Sequence, residues 1–114
     1  MMSKKVAFQH LATSASMAAD YTSPAFDLEY KDNFCAQAIF TNNGGSYPVG
    51  SFFILESIDG STYTQNSALT ATCSGTAGSV MIHANDSAVN YFKVMFDRTS
   101  GDGVLDIWVS AKSY

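Results

Sequence analysis

The segment from Val104 to Lys112 alternates without interruption: Leu105, Ile107, Val109 and Ala111 are apolar, and Asp106, Trp108, Ser110 and Lys112 stand between them. Successive side chains of an extended chain point to opposite faces, so a period of two fits a strand with one buried face and does not fit a helix. The preceding segment, Val89 to Arg98, repeats the pattern, with Phe92, Val94 and Phe96 on one side. The short link Thr99-Ser100-Gly101-Asp102-Gly103 predicts that the two segments form an antiparallel hairpin.

The rest of the chain divides in the same way. Asn42-Asn43-Gly44-Gly45 followed by Pro48 reads as a loop, Asp59-Gly60-Ser61 as a tight turn, and Ser74-Gly75-Thr76-Ala77-Gly78 as a flexible connection. Gly, Asn and Asp suit such places because they tolerate positive φ or bond their own backbone. Between the turns, Phe34, Ala36, Ala38 and Phe40 share a face, and Val80 and Ile82 form a further pair. Phe52 and Ile54 oppose Phe53 and Leu55, which predicts a strand buried on both sides. Leu11 to Ala19 has helix-friendly alanines diluted by Thr13, Ser14 and Ser16, and reads as strand or loop. No segment carries helical spacing over three turns. The expected fold is all-β: a single antiparallel β-sandwich domain over residues 1–114, of about eight strands, wired as a jelly roll or like an immunoglobulin domain. Residues 1–11 are either an N-terminal arm that adds to a neighbouring subunit or the first strand of the sheet.

Composition supports one folded domain. Of the 114 residues 46% are hydrophobic and 14% charged, which excludes a disordered tail and allows a core without metal or disulfide staples. A formal charge of −4 with six scattered Lys and Arg offers no patch for phosphates, so neither nucleic acid nor an anionic membrane is the expected partner. Gln9 and His10 interrupt any apolar leader segment, and no apolar run is long enough to span a bilayer. Synthesis in a cytoplasm is the expectation, with Cys35 and Cys73 as free, mostly buried thiols.

Side chains that could carry chemistry are sparse. His10 and His83 are the two histidines, and neither stands in a metal-binding spacing. No Gly-x-Ser-x-Gly elbow occurs, and Cys35 has no charged neighbour in its strand to lower its pKa. Glu56 and Asp59 flank one turn and Asp97 and Asp102 another, where carboxylates cap backbone amides; neither turn carries the ladder of a calcium loop. The run Asn85-Asp86-Ser87 matches a glycosylation acceptor without the secretory context that would use it. An enzyme, a cofactor and a metal are not expected.

Aromatic residues are the more informative class. Fifteen are too many for a sandwich this small to bury. Trp108 falls on the outer face of its strand beside Asp106 and Lys112, while Tyr47, Tyr63 and Tyr114, like Tyr21 and Tyr30, sit at segment ends or in loops. Such residues either close the ends of the sandwich with their hydroxyls in water, anchor a protein contact, or form a platform for sugars. Trp108, Asp106, Lys112, Tyr114, Tyr63 and Tyr47 are the candidate interaction surface.

The run Tyr91-Phe92-Lys93-Val94-Met95-Phe96-Asp97-Arg98-Thr99-Ser100-Gly101-Asp102-Gly103-Val104-Leu105, closing with Val109-Ser110-Ala111-Lys112, resembles small structural proteins of bacteriophage virions. Pro48-Val49-Gly50, the stretch Glu56-Ser57-Ile58-Asp59-Gly60-Ser61-Thr62-Tyr63, and Thr22-Ser23-Pro24-Ala25-Phe26-Asp27-Leu28 resemble further strands and turns of that family, although Tyr63 stands where a tryptophan is common. The resemblance implies a virion component made in the bacterial host cytoplasm. It would be a capsid decoration or cement protein, or a tail part, whose partners are the major capsid protein or tail proteins and copies of itself. The other role it implies is a phage receptor- or carbohydrate-binding module of a fibre or spike.

Overall fold

The computed structural model describes residues 5–74 and 77–113 and holds nine strands: β1 (Lys5–Ser16), β2 (Tyr21–Thr22), β3 (Phe26–Asp27), β4 (Asn33–Asn42), β5 (Val49–Ser57), β6 (Thr64–Cys73), β7 (Ala77–Ala84), β8 (Tyr91–Ser100) and β9 (Gly103–Ser113). They form two antiparallel sheets, ordered β1-β9-β4-β7 and β2-β8-β5-β6, with β3 also paired to β8. The all-β sandwich expected from the alternation is what the chain forms.

β2 and β3 are two parts of one strand running along β8. At the break, Ser23 is buried, its N–H donates to the Val94 carbonyl, and its hydroxyl accepts from the Val94 N–H. Pro24 follows, and its lack of an N–H explains why the ladder stops there. Counted as one strand, β2/β3 leaves eight, and the pairing becomes first with last, second with seventh, third with sixth and fourth with fifth. That nested order is a jelly roll, which decides between the two wirings left open by periodicity.

The hairpin expected between β8 and β9 does not form. β8 pairs with β2, β3 and β5, whereas β9 pairs with β1 and β4 in the other sheet. Both strands bury one face, and this turn carries the chain across the sandwich so that those faces oppose each other instead of lying side by side. The turn is tight because Gly101 adopts φ +79° against the backbone carbonyl of Tyr47, where a Cβ would collide. The Arg98 Nε donates to the Gly101 carbonyl at 2.8 Å and closes it.

The core is the layer between the sheets. Phe34, Ala36, Ala38, Phe40, Leu105, Ile107, Val109 and Ala111 face Phe52, Ile54, Phe92, Val94 and Phe96, all buried. Phe34 stacks on Phe92 with ring centres 4.2 Å apart, and Phe52 lies 5.2 Å from Phe96. β5 is not buried on both sides: Phe53 and Leu55 are half-exposed, because among the described residues no element covers the outer face of their sheet. Of the cysteines, Cys73 is wholly buried, whereas Cys35 is only half-buried, on the outer face of β4. Leu11 to Ser16 continues β1, which pairs with β9 of its own chain from Lys5 onward, with irregularities between His10 and Ala15. The connection expected at Ser74 to Gly78 is shorter than the sequence suggests, since β7 already begins at Ala77; Gly75 and Thr76, like residues 1–4, lie outside the described residues.

Candidate functional site

The outer face of the four-stranded sheet is built by alternation. On β9 the inward positions are all buried, so Asp106, Trp108, Ser110 and Lys112 must point away from the core. The register then sets their neighbours. Trp108 lies opposite His10 on β1 and Gln37 on β4, and Gln37 opposite Met81 on β7. The next row is Phe8, Ser110, Cys35 and His83, and Asp106 lies opposite Ile39.

This face carries five of the eight large apolar side chains that are exposed among the described residues. Phe8 is 75% exposed, Val6 60%, Met81 53%, Trp108 38% and Ile39 36%. Phe8, Cys35, Gln37, Met81, Trp108, Val109 and Ser110 line one shallow depression of about 140 Å³. Trp108 is held upright from one side. The His10 ring stacks on the indole at 4.0 Å and 3°, and its Nε2 lies 3.1 Å from the Asp106 carboxylate. The same carboxylate oxygen accepts from the Ser14 N–H at 3.1 Å, where β1 leaves the regular register.

Of the residues expected to form an interaction surface, Asp106, Trp108 and Lys112 share this face. Tyr47 and Tyr63 do not join them, because they occupy loops at opposite ends of β5; Tyr63 packs under Lys93, whose Nζ lies 4.2 Å from its ring centre. Burial, with the nearby charges of Tyr91 and Asp59, raises the Tyr63 pKa above its usual value. Tyr114 lies outside the described residues. Sequence reading missed Phe8, His10 and Met81 as members. Val6, Phe8 and His10 alternate visibly, but only the β1–β9 and β4–β7 registers bring them to Trp108.

The turn carboxylates are engaged locally. One Asp59 oxygen accepts from the N–H groups of Ser61 and Thr62 at 2.8 Å and from the Ser57 hydroxyl at 3.0 Å, and the Thr62 and Ser61 bonds chiefly hold this carboxyl below the usual range. Asp102 accepts from Asn43 Nδ2 and from the Gly103 N–H. His83 shares an open depression with Glu56, whose carboxylate accepts from Asn66 Nδ2 at 2.9 Å. Burial pushes the Cys35 thiol up and the Cys73 thiol up to about 11, which keeps both as poor nucleophiles. Among the described residues no group of three His, Cys, Asp or Glu could hold a metal ion, and no helix is long and apolar enough to cross a membrane.

No protein-family model matches the sequence, and no curated protein matches it. A solved structure does share the fold. The chain is similar to the SPBc2 prophage-derived protein YomS, with a TM-score of 0.60 and 8% identity over 99% of this chain and 97% of that one. A chain from the disulfide-linked pili of Bacillus endospore appendages covers 98% of this chain and 87% of its own length, with a TM-score of 0.41 and 13% identity.

Proposed function

We propose that this chain is a structural component of a phage particle, a capsid decoration or cement protein that works by protein–protein contact and not by catalysis. The observation that carries the reading is the apolar outer face centred on Trp108. Contiguous apolar patches of this kind on a small soluble domain mark contact surfaces, and tryptophan is enriched among the residues that anchor them. The fold shared with a prophage-derived protein and the resemblance of the C-terminal strands to virion proteins support the same reading. So does the local use of the turn carboxylates of Asp59 and Asp102, which are taken up in holding loops. A decoration protein acts in many copies, so contacts that are weak singly gain from multivalency.

The test is attachment of the purified protein to empty phage heads. Trp108→Ala should weaken attachment, whether the face meets the head or joins copies that bind it together, and should change the unfolding free energy by less than the ~3 kcal/mol at which loss of a fully buried aromatic begins. Saturable binding on a glycan array, removed by the same substitution, would assign the face to sugar recognition instead. The stacked His10 already covers one face of the indole, leaving a smaller platform for that role.

A further inference from the structure

On the reading of this face as a contact surface, we infer that its occupant is a second copy of the same chain, packed face to face and turned end for end about a two-fold axis at Val109. The order of side chains along the outer side of β9 carries the inference: a negative Asp106, a large Trp108, a small Ser110 and a positive Lys112. Reversed upon itself, this strip is its own complement. Each Asp106 then faces the second copy's Lys112, and each Trp108 faces the second copy's Ser110. The parallel alternative sets Asp106 on Asp106 and Trp108 on Trp108, so charge and shape both select the reversed arrangement.

The surface around Ser110 is shaped to receive the indole. The depression lined by Phe8, Cys35, Gln37, Met81 and Trp108 lies beside it, and at about 140 Å³ its size is that of a side chain. Pockets for small molecules begin near ~300 Å³. The knob and the hole are therefore neighbours on one strand, and a two-fold axis at Val109 brings each copy's indole to the other's depression.

The area agrees. The exposed parts of Val6, Phe8, Ile39, Met81 and Trp108 amount to roughly 500 Å² of apolar surface. A standard interface buries about 800 Å² on each partner, and homodimer interfaces are about 65% apolar. One copy thus supplies about the apolar area that half of a stable dimer contains, without calling on the loops.

Sedimentation velocity tests the inference. The wild-type chain should sediment as a concentration-dependent dimer, and Lys112→Glu should weaken association at least about tenfold by placing like charges together. Asp106→Lys should do the same. Mixing the two variants should restore the dimer, because only the mixed pair sets opposite charges at both contacts; no recovery on mixing overturns the arrangement. Asp106 also holds His10 and the Ser14 amide, so circular dichroism must show that its variant is folded. If it is not, Ser110→Arg decides: it fills the depression from the exposed side and should leave a folded monomer, and a persisting dimer refutes the packing. A wild-type chain that stays monomeric at its highest soluble concentration overturns the second-copy inference. If that monomer still attaches to phage heads through Trp108, the contact-face reading survives; loss of both ends both.

Discussion

Cys35 and Cys73 show how one residue type takes its behaviour from its place. Cys73 ends β6 in the core, its thiol donating to the Pro48 carbonyl at 3.7 Å, and burial lifts its pKa to about 11. Cys35 sits on the outer face of β4, half-buried, in the wall of the depression beside Trp108. At concentrations where the protein is monomeric, a thiol reagent should therefore titrate one cysteine in the native state and two in denaturant; two fast thiols in the native state would place Cys73 outside the core. Asp59 is the opposite case, an exposed carboxylate with a lowered pKa. A carboxyl depressed on folding adds stability above its unfolded value, and that contribution is lost as the pH falls through the folded value. Asp59→Asn should thus lower the urea midpoint near neutrality, and its gap from wild type should close as the pH is taken below 3.8. A gap independent of pH would remove the charge from the explanation. Neither outcome could be read from the sequence, which placed Asp59 at a turn without showing which amides it meets.

At the scale of elements, strand alternation was legible and strand partnership was not. Phe92, Val94 and Phe96 are buried as their spacing required, and so are Leu105, Ile107 and Val109. Phe96→Ala should cost about 3–5 kcal/mol in denaturant unfolding, the usual range for a buried aromatic, since its ring packs on Phe52. A loss below about 1 kcal/mol would mean that β8 presents its other face to the core. The link that follows β8 misled because a short glycine-bearing turn joins strands equally well within a sheet or between sheets, and its residues do not record which. Here it crosses, and the crossing depends on the left-handed backbone of Gly101 beside the Tyr47 carbonyl. Gly101→Ala should destabilise the fold by about 2 kcal/mol or more, through strain at positive φ added to the collision. An unchanged melting temperature would show that the turn is free to relax.

For the whole molecule, the alternation of several short strands was enough to give a sandwich, but the jelly-roll nesting is a property of pairings between distant segments that no local pattern encodes. The same holds for the contact face. Asp106, Trp108 and Lys112 were legible because one strand carries all three, whereas Phe8 and Met81 reach them only across β1 and β7. Tyr47 and Tyr63 were grouped with them on chemical type alone, and the fold sets those two in separate loops.

The pairing of β1 with β9 has a consequence for how the protein is made. Lys5 is matched with Ser113 and Ser16 with Val104, so β1, the first of these nine strands to leave the ribosome, finds its neighbour only after the strands between them have been made. Until then Val6 and Phe8 belong to an unpaired apolar segment, and a nascent chain in that condition is a natural client for a chaperone that shields extended apolar stretches.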